Sequence, residues 1–269
     1  MVSLTYLAFH ALFIVPPLVV LAVLTWRRRR SPLGLRLGAL GVVVVTALAV
    51  GYTAPWDRFL IERGAWFYGE GRVARWVWGI PLGELLFFVL QPLLTALWTF
   101  QVDGSVAASV RHSRRDRVVG ALAGLAVSAV GVALFLGGDS TLYLGAILAW
   151  AGPVFALQWA VGWRYLLAVR RRVLLAVGVP TVYLWVVDRI AIGNGIWTIS
   201  ETYTVGFGVL GLPVEEMTFF LVTNCFVVQG LVLLPWVARR WRRVAGDPDR
   251  PEVEDEVGMP ARVIDRWRQ

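Results

Sequence analysis

Two short motifs occur twice in this chain, and both carry carboxyl groups. Pro81-Leu82-Gly83-Glu84 and Pro213-Val214-Glu215-Glu216 each stand at the head of a long apolar run. Asp57-Arg58 and Asp188-Arg189 precede them. Proline suits the first turn of a helix, where its missing N–H is not needed. A glutamate three residues on lies in that same turn, where the helix dipole favours negative charge. On that basis alone the motif is a helix-start signature. Ionisable groups at membrane depth are expensive, however, and are functional candidates for that reason. Glu215 and Glu216 are adjacent and repel each other, and an apolar setting disfavours both anions. Either effect keeps a proton available for general acid work. The Asp-Arg pairs have two readings. They close the outer loops as interfacial ion pairs, or they orient and charge-balance the glutamates. Gly64 and Gly195 read as turn glycines with no further role.

Aromatic residues make up 13% of the chain, with 14 Trp among them, and many must belong to interfacial belts. Some are placed differently. Trp66, Tyr68, Phe87 and Phe88 surround the first acidic motif, and Trp197, Tyr203, Phe219 and Phe220 surround the second. Aromatic faces attract cations. Beside a proton-donating carboxyl they suit chemistry through a carbocation, although packing alone also explains them.

These motifs belong to an internal repeat. Asp57, Arg58, Gly64 and Trp66 align with Asp188, Arg189, Gly195 and Trp197 at an offset of 131. Pro81, Glu84, Phe87 and Phe88 align with Pro213, Glu216, Phe219 and Phe220 at an offset of 132.

The elements that must position them are membrane helices. The chain has 269 residues, 58% of them apolar and only 16% charged, with a mean hydropathy of +0.66. So few charges could not cover a soluble surface. Seven stretches approach the roughly 20 apolar residues of a span. They are about Leu4–Trp26, Leu37–Thr53, Ile80–Phe100, Val118–Leu136, Leu142–Trp163, Val173–Val187 and Leu212–Trp236. The first is not a cleavable signal, because Arg27, Arg28, Arg29 and Arg30 follow its apolar run. With the N-terminus outside, inner segments carry 17 arginines and outer segments 5, which predicts an inside C-terminus. The net charge of +8 therefore reports topology, and no nucleic-acid partner is expected.

The predicted fold class is an all-α membrane protein of seven transmembrane helices, two parallel three-helix repeats joined by a linking helix. Residues 1–100 form the first repeat, 101–136 the inner loop and linking helix, and 137–245 the second repeat. Residues 246–269, rich in Asp, Glu and Pro, read as a disordered cytoplasmic tail. A parallel repeat places equivalent residues at equal depth, and sites tend to lie where repeats meet.

Several features carry less. Gly206–Gly211 reads GFGVLG but follows no strand of a βαβ unit, so it is not a dinucleotide fingerprint. Gly120 and Gly124 form a GxxxG that packs helices. His10 reads as a hydrogen-bonded bundle residue, His112 as part of a solvated basic loop, and Cys225 as a small apolar residue. One cysteine and two histidines give no basis for a disulfide or a metal site.

The motifs resemble a known family. PWDRFLIERGAWFYGEGRV followed by GIPLGELLFF looks like the first half of the integral-membrane lycopene (carotenoid) cyclases. DRIAIGNGIWTIS followed by YTVGFGVLGLPVEEMTFFLVTN looks like the second half. The resemblance covers about residues 1–236, so both halves of the heterodimeric bacterial type stand on one chain. The family pattern is commonly Pro-x-Glu-Glu in each half; here Gly83 replaces one Glu, and Arg58 stands where Asn is frequent. The resemblance implies cyclisation of the linear ψ end groups of lycopene to β-ionone rings, started by a proton and without net redox. Glu84, Glu215, Glu216, Asp57 and Asp188 are then the catalytic candidates, with Glu216 ranked above Glu84 as the acid. The eight aromatics named above would bind substrate. No cofactor is expected, neither flavin nor metal. The expected partners are the lipophilic carotenoid drawn from the bilayer, membrane lipids, and other enzymes of carotenoid synthesis. The expected location is the cell membrane. The rival is a small transporter relaying protons through paired carboxylates, which should display polar residues at mid-membrane. A structural membrane protein without activity is the third reading.

Overall fold

The structure, a computed structural model, describes residues 4–28, 35–102 and 110–244. The tail expected over 246–269 and the arginines Arg29 and Arg30 lie outside the described residues. Among the described residues seven helices are long and apolar enough to cross a membrane.

The first span is composite. Thr5 caps α1 (Tyr6–Phe9) by accepting the Ala8 N–H, as hydroxyl caps do. The helix then passes through a π-helical turn at His10–Ile14 and continues as α2 (Val15–Arg28). The second span, α3 (Leu35–Arg63), runs ten residues past the end expected from its apolar run. The sixth, α7 (Arg170–Gly193), extends beyond Val187 in the same way. Asp57-Arg58 and Asp188-Arg189 are thus in the last turns of helices, not in outer loops. The apolar run stops there because one helix face turns to the protein interior, where Asp57 and Asp188 are buried.

Each of these helices leads into the same series of elements. Gly64 and Gly195 take positive φ, 79° and 62°, a conformation that favours glycine. Strands β1 (Trp66–Tyr68) and β4 (Trp197–Ile199) follow them and pair with each other, antiparallel. The register is symmetric about Phe67 and Thr198, which are equivalent at the repeat offset of 131. A tight hairpin comes next in each half. In the first, β2 (Trp76–Val77) pairs with β3 (Ile80–Pro81) across Trp78-Gly79, both residues at positive φ. In the second, β5 (Gly208–Val209) pairs with β6 (Leu212–Pro213) across Leu210-Gly211, again both at positive φ. The GFGVLG stretch is therefore a hairpin turn. From these hairpins start α4 (Leu82–Gln101) and α8 (Val214–Val244), with Glu84 and Glu215-Glu216 in their first turns.

Helices α4 and α8 pack against each other at the centre. Helices α2 and α3 pack on α4, and α6 (Leu142–Ala168) and α7 pack on α8. Helix α5 (Arg114–Leu136) lies outside this set against α6, with Ser113 and Asp116 closing a capping box at its start. The α5–α6 contact is made by glycines. A Cβ at Gly124 would lie 2.1 Å from the Ala156 nitrogen, and one at Gly131 would lie 2.0 Å from the Ala149 nitrogen. Gly120 meets the Trp159 carbonyl in the same way, so the GxxxG packs helices as expected.

Midway down the bundle a polar network ties α4, α7 and α8 together. Gln91 Nε2 and Thr95 Oγ1 donate to Asn224 Oδ1 at 2.7 and 2.6 Å, and Asn224 Nδ2 donates to Thr181 Oγ1 at 3.0 Å. Each of these polar residues sits within an otherwise apolar run.

His112 also departs from expectation. It is buried, with Nε2 2.9 Å from the Ala160 carbonyl and its ring edge-on to Trp236, because the segment before α5 folds back onto α6 and α8.

Candidate active site

The two repeats bring their acidic motifs to one cavity of about 60 Å³. Asp57, Glu84, Asp188 and Glu216 line it, one carboxyl from each of α3, α4, α7 and α8. All four are buried. Oδ2 of Asp57, Oε2 of Glu84 and Oδ2 of Asp188 are buried without any hydrogen-bond partner, and a buried polar group in that state demands an explanation.

The arginines beside the aspartates point elsewhere. Adjacent residues on a helix diverge, so Asp faces the cavity while Arg faces outward. Arg58 pairs with Glu62 at 2.7 Å and lies over the Trp78 ring at 4.9 Å. Arg189 Nε donates to the Leu210 carbonyl at 2.7 Å. Each therefore clamps the hairpin turn of its own half. Both readings of the Asp-Arg motifs are corrected on this point. Among the described residues no arginine forms an ion pair with any of the four cavity carboxyls.

Each carboxyl has identifiable neighbours. Tyr143 donates its O–H to Glu216 Oε1 at 2.8 Å, and Trp197 Nε1 donates to Asp188 Oδ1 at 3.0 Å. Asp57, Tyr68 and Trp66 are the polar neighbours of Glu84. Trp66 Nε1 donates to the Tyr68 hydroxyl at 2.8 Å. Tyr68 lies in β1, above the helices. Burial, with the Glu84 carboxyl second, holds its hydroxyl well above the ordinary phenol range. It therefore remains a neutral O–H donor beside Glu84.

Aromatic rings form the walls. Of the expected substrate-binding residues, Trp66, Phe87, Phe88, Trp197, Phe219 and Phe220 line the cavity. The β1–β4 ladder roofs it: alternation turns Trp66 inward and leaves Phe67 55% exposed. Tyr68 and Tyr203 are not on the wall. Tyr68 stands behind Glu84, and Tyr203 packs against the cluster containing Leu60 and Tyr143.

Glu215 is a further correction. It is fully buried but turned out of the cavity, with Oε1 accepting the Val205 N–H at 2.8 Å. It anchors the segment ahead of the β5–β6 hairpin. Glycine at the equivalent position has a physical reason. A Cβ on Gly83 would lie 2.5 Å from the Tyr6 ring, so in the first half Tyr6 fills that space. His10 Nε2 lies 2.8 Å from the Gly83 carbonyl and its ring stacks near Phe87, a bundle role as expected.

The sequence reading missed Tyr6, Tyr143 and Trp56, all of which line the cavity. A signal was present for the tyrosines. Thr5-Tyr6-Leu7 and Thr141-Leu142-Tyr143-Leu144 open the first helix of each half, but the offset there is not 131 or 132. Trp56 belongs to a ring series. Its plane is 2° from that of Phe219 with centroids 5.8 Å apart, and Trp150 stacks on it at 4.9 Å.

Chemically, the site has several carboxyls without a cationic partner among the described residues, in a cavity lined by aromatic rings. That set can move protons and stabilise a carbocation.

Comparison with known proteins agrees. The family model for lycopene cyclase matches residues 3–101 and 140–233, leaving out the stretch that holds α5. A lycopene beta-cyclase of Halobacterium salinarum is 51% identical over 238 residues, 88% of this chain and 99% of that protein. Bifunctional lycopene cyclase/phytoene synthases of Arthroderma gypseum and Pyrenophora tritici-repentis are 31% and 34% identical. Their matches cover 86% and 84% of this chain but only 41% and 40% of the fungal proteins. No solved structure matches. With the family model and a near full-length archaeal relative in agreement, the chain belongs to the lycopene cyclase family.

Proposed function

We propose that this chain is a lycopene β-cyclase, turning ψ end groups into β-ionone rings by proton-initiated isomerisation. The observation that carries the reading is the meeting of four buried carboxyls, without cationic partners among the described residues, in a cavity walled by aromatic rings. A proton adds to the terminal alkene and leaves a tertiary cation. The neighbouring alkene attacks it, closing the ring and moving the cation to a ring carbon. Loss of a ring proton restores neutrality. The atoms of substrate and product are the same, so no oxidant is needed. The rings stabilise the two cations, and the protein walls keep water from capturing them.

The substrate is a lipophilic polyene, and its path from the bilayer has a candidate. Helix α3 faces α6 through aromatic side chains. Tyr52, 41% exposed, donates to the Trp150 carbonyl at 2.8 Å, and Trp150 Nε1 donates to the Tyr52 carbonyl at 3.3 Å. Behind them Trp56 and Phe219 lead to the cavity. Rotamer changes open a seam of side chains, whereas the glycine contact of α5 and α6 is backbone against backbone. The rival transporter gains nothing from the comparisons, and its mid-membrane polar residues hydrogen-bond to one another.

The same reading includes two parallel three-helix repeats, 1–100 and 137–245, around the α4–α8 contact, with 101–136 as the link. It also includes an outside N-terminus and a cytoplasmic C-terminus in the cell membrane. The pairing of β1 with β4 about equivalent residues supports the symmetry, and the arginine distribution supports the orientation. The test is expression in cells that accumulate lycopene. Cyclic carotenoid is the expected pigment, and unchanged lycopene beside well-inserted protein would refute the assignment.

A further inference from the structure

The two halves of the cavity are not equivalent, and the difference lies at the aspartates. In the second half Trp197 Nε1 donates to Asp188 Oδ1 at 3.0 Å. Trp66 occupies the equivalent place in the first half, but its N–H goes to the Tyr68 hydroxyl at 2.8 Å. Tyr143 likewise donates to Glu216 Oε1 at 2.8 Å, whereas Asp57 Oδ2 and Glu84 Oε2 lie buried in the cavity without a hydrogen-bond partner. An N–H donor favours the anionic form of a carboxylate. Two buried carboxyls that share one cavity without donors do not both ionise, because the anions repel, so the pair retains a proton.

We infer that the halves divide the reaction: the Asp57–Glu84 pair holds the proton that starts cyclisation, and Asp188 is the base that takes the ring proton. The assignment rests on the cyclase reading above and deepens it. The proton leaves the carboxyl pair for the terminal alkene, whose π electrons form the new C–H bond. The next alkene's π electrons form the ring bond. The electron pair of the departing ring C–H bond becomes the ring double bond, and Asp188 keeps the proton. The Asp57–Glu84 pair is then one proton short and Asp188 holds one more, so the total is unchanged and one proton must return. Glu84 and Glu216 line the same cavity, so the proton has a carboxyl path back. Trp197, through its N–H on Asp188, is a positioning residue.

Carbocation chemistry gives acid and base different signatures. Without the acid no cation forms. Without the base a cation still forms, and the proton is lost from whichever neighbouring carbon is reachable. Loss from the carbon bearing the polyene gives a β ring, from the ring methylene an ε ring, and from the ring methyl a γ ring.

The experiment makes matched substitutions at equivalent places of the full chain, in lycopene-accumulating cells at matched membrane levels. Asp57→Asn should lower cyclic product by about 100-fold or more and leave the ring type of any residue unchanged. Asp188→Asn should keep a measurable yield of rings, with ε or γ rings displacing β rings. Trp197→Phe should shift the ring ratio in the same direction, whereas Trp66→Phe should not. Should Asp188→Asn fail to insert, the Trp197→Phe and Trp66→Phe pair still decides the matter through ring ratio. Equal loss at both aspartates with only β rings remaining overturns the division. So does a ring-type shift confined to Asp57→Asn. A wild-type chain that makes no rings at all would instead remove the cyclase reading beneath it.

Discussion

At the residue scale, what was legible in the sequence was residue identity at equivalent places. Asp57, Glu84, Asp188 and Glu216 all reach the cavity, the glutamates from the helix starts where the motif puts them and the aspartates from helix ends that had read as outer loops. Glu215 did not follow, because adjacent residues on a helix point about 100° apart and sequence adjacency says nothing of which one faces inward. The partners Tyr143 and Tyr68 depend on packing between distant segments, which no local pattern encodes. Glu215→Gln should retain cyclisation within a few-fold, since a Gln amide oxygen still accepts the Val205 N–H; pigment yield at matched protein level checks this. Tyr143→Phe removes one donor from Glu216 and leaves the carboxyl. Its expected effect is a drop in cyclic product smaller than that of Glu216→Gln. Gly83→Glu, which would restore the common family pattern, should instead reduce folded protein, because the new side chain meets the Tyr6 ring.

At the element scale, helix number and order were readable from apolar runs, and helix ends were not. A 20-residue hydrophobic window finds the part of a helix that faces lipid. The last turns of α3 and α7 face the cavity instead and carry Asp57 and Asp188, so hydropathy stops short of both. The short strands are set by positive-φ turns and by pairing between halves, which also escape hydropathy. The GxxxG of α5, by contrast, was legible, since its meaning is steric. Gly124→Leu should separate α5 from α6 and destabilise the bundle by about 1–3 kcal/mol or more, in the range of core overpacking. Gly178→Ala, where an added Cβ meets nothing within 4 Å, should be neutral or stabilising by up to about 1 kcal/mol. Thermal unfolding in detergent, compared with the parent chain, reads both.

At the scale of the whole molecule, the repeat organises everything else. Its offsets brought two acidic motifs to one place, and its departures, at Gly83 and in the different use of Trp66 and Trp197, make the halves unequal. Because each half carries its own motif set, co-expressed fragments divided between residues 111 and 117 should reassemble and cyclise. Loss of all product from two well-inserted fragments would count against two complementary repeats. In the proposed function the shared carboxyl cavity performs the cyclisation. The most direct measurement is pigment composition in lycopene-accumulating cells carrying the parent chain, Glu84→Gln, Glu216→Gln or the double substitution, at equal levels of inserted protein. Glutamine keeps size and hydrogen bonding but removes the acid–base function. Cyclic carotenoid is expected from the parent, with a deep loss of it in both single variants. The double variant should do no worse than the more damaged single, as residues acting in one site behave. Normal cyclic carotenoid from all three variants would contradict this assignment, and would return both motifs to the role of helix starts.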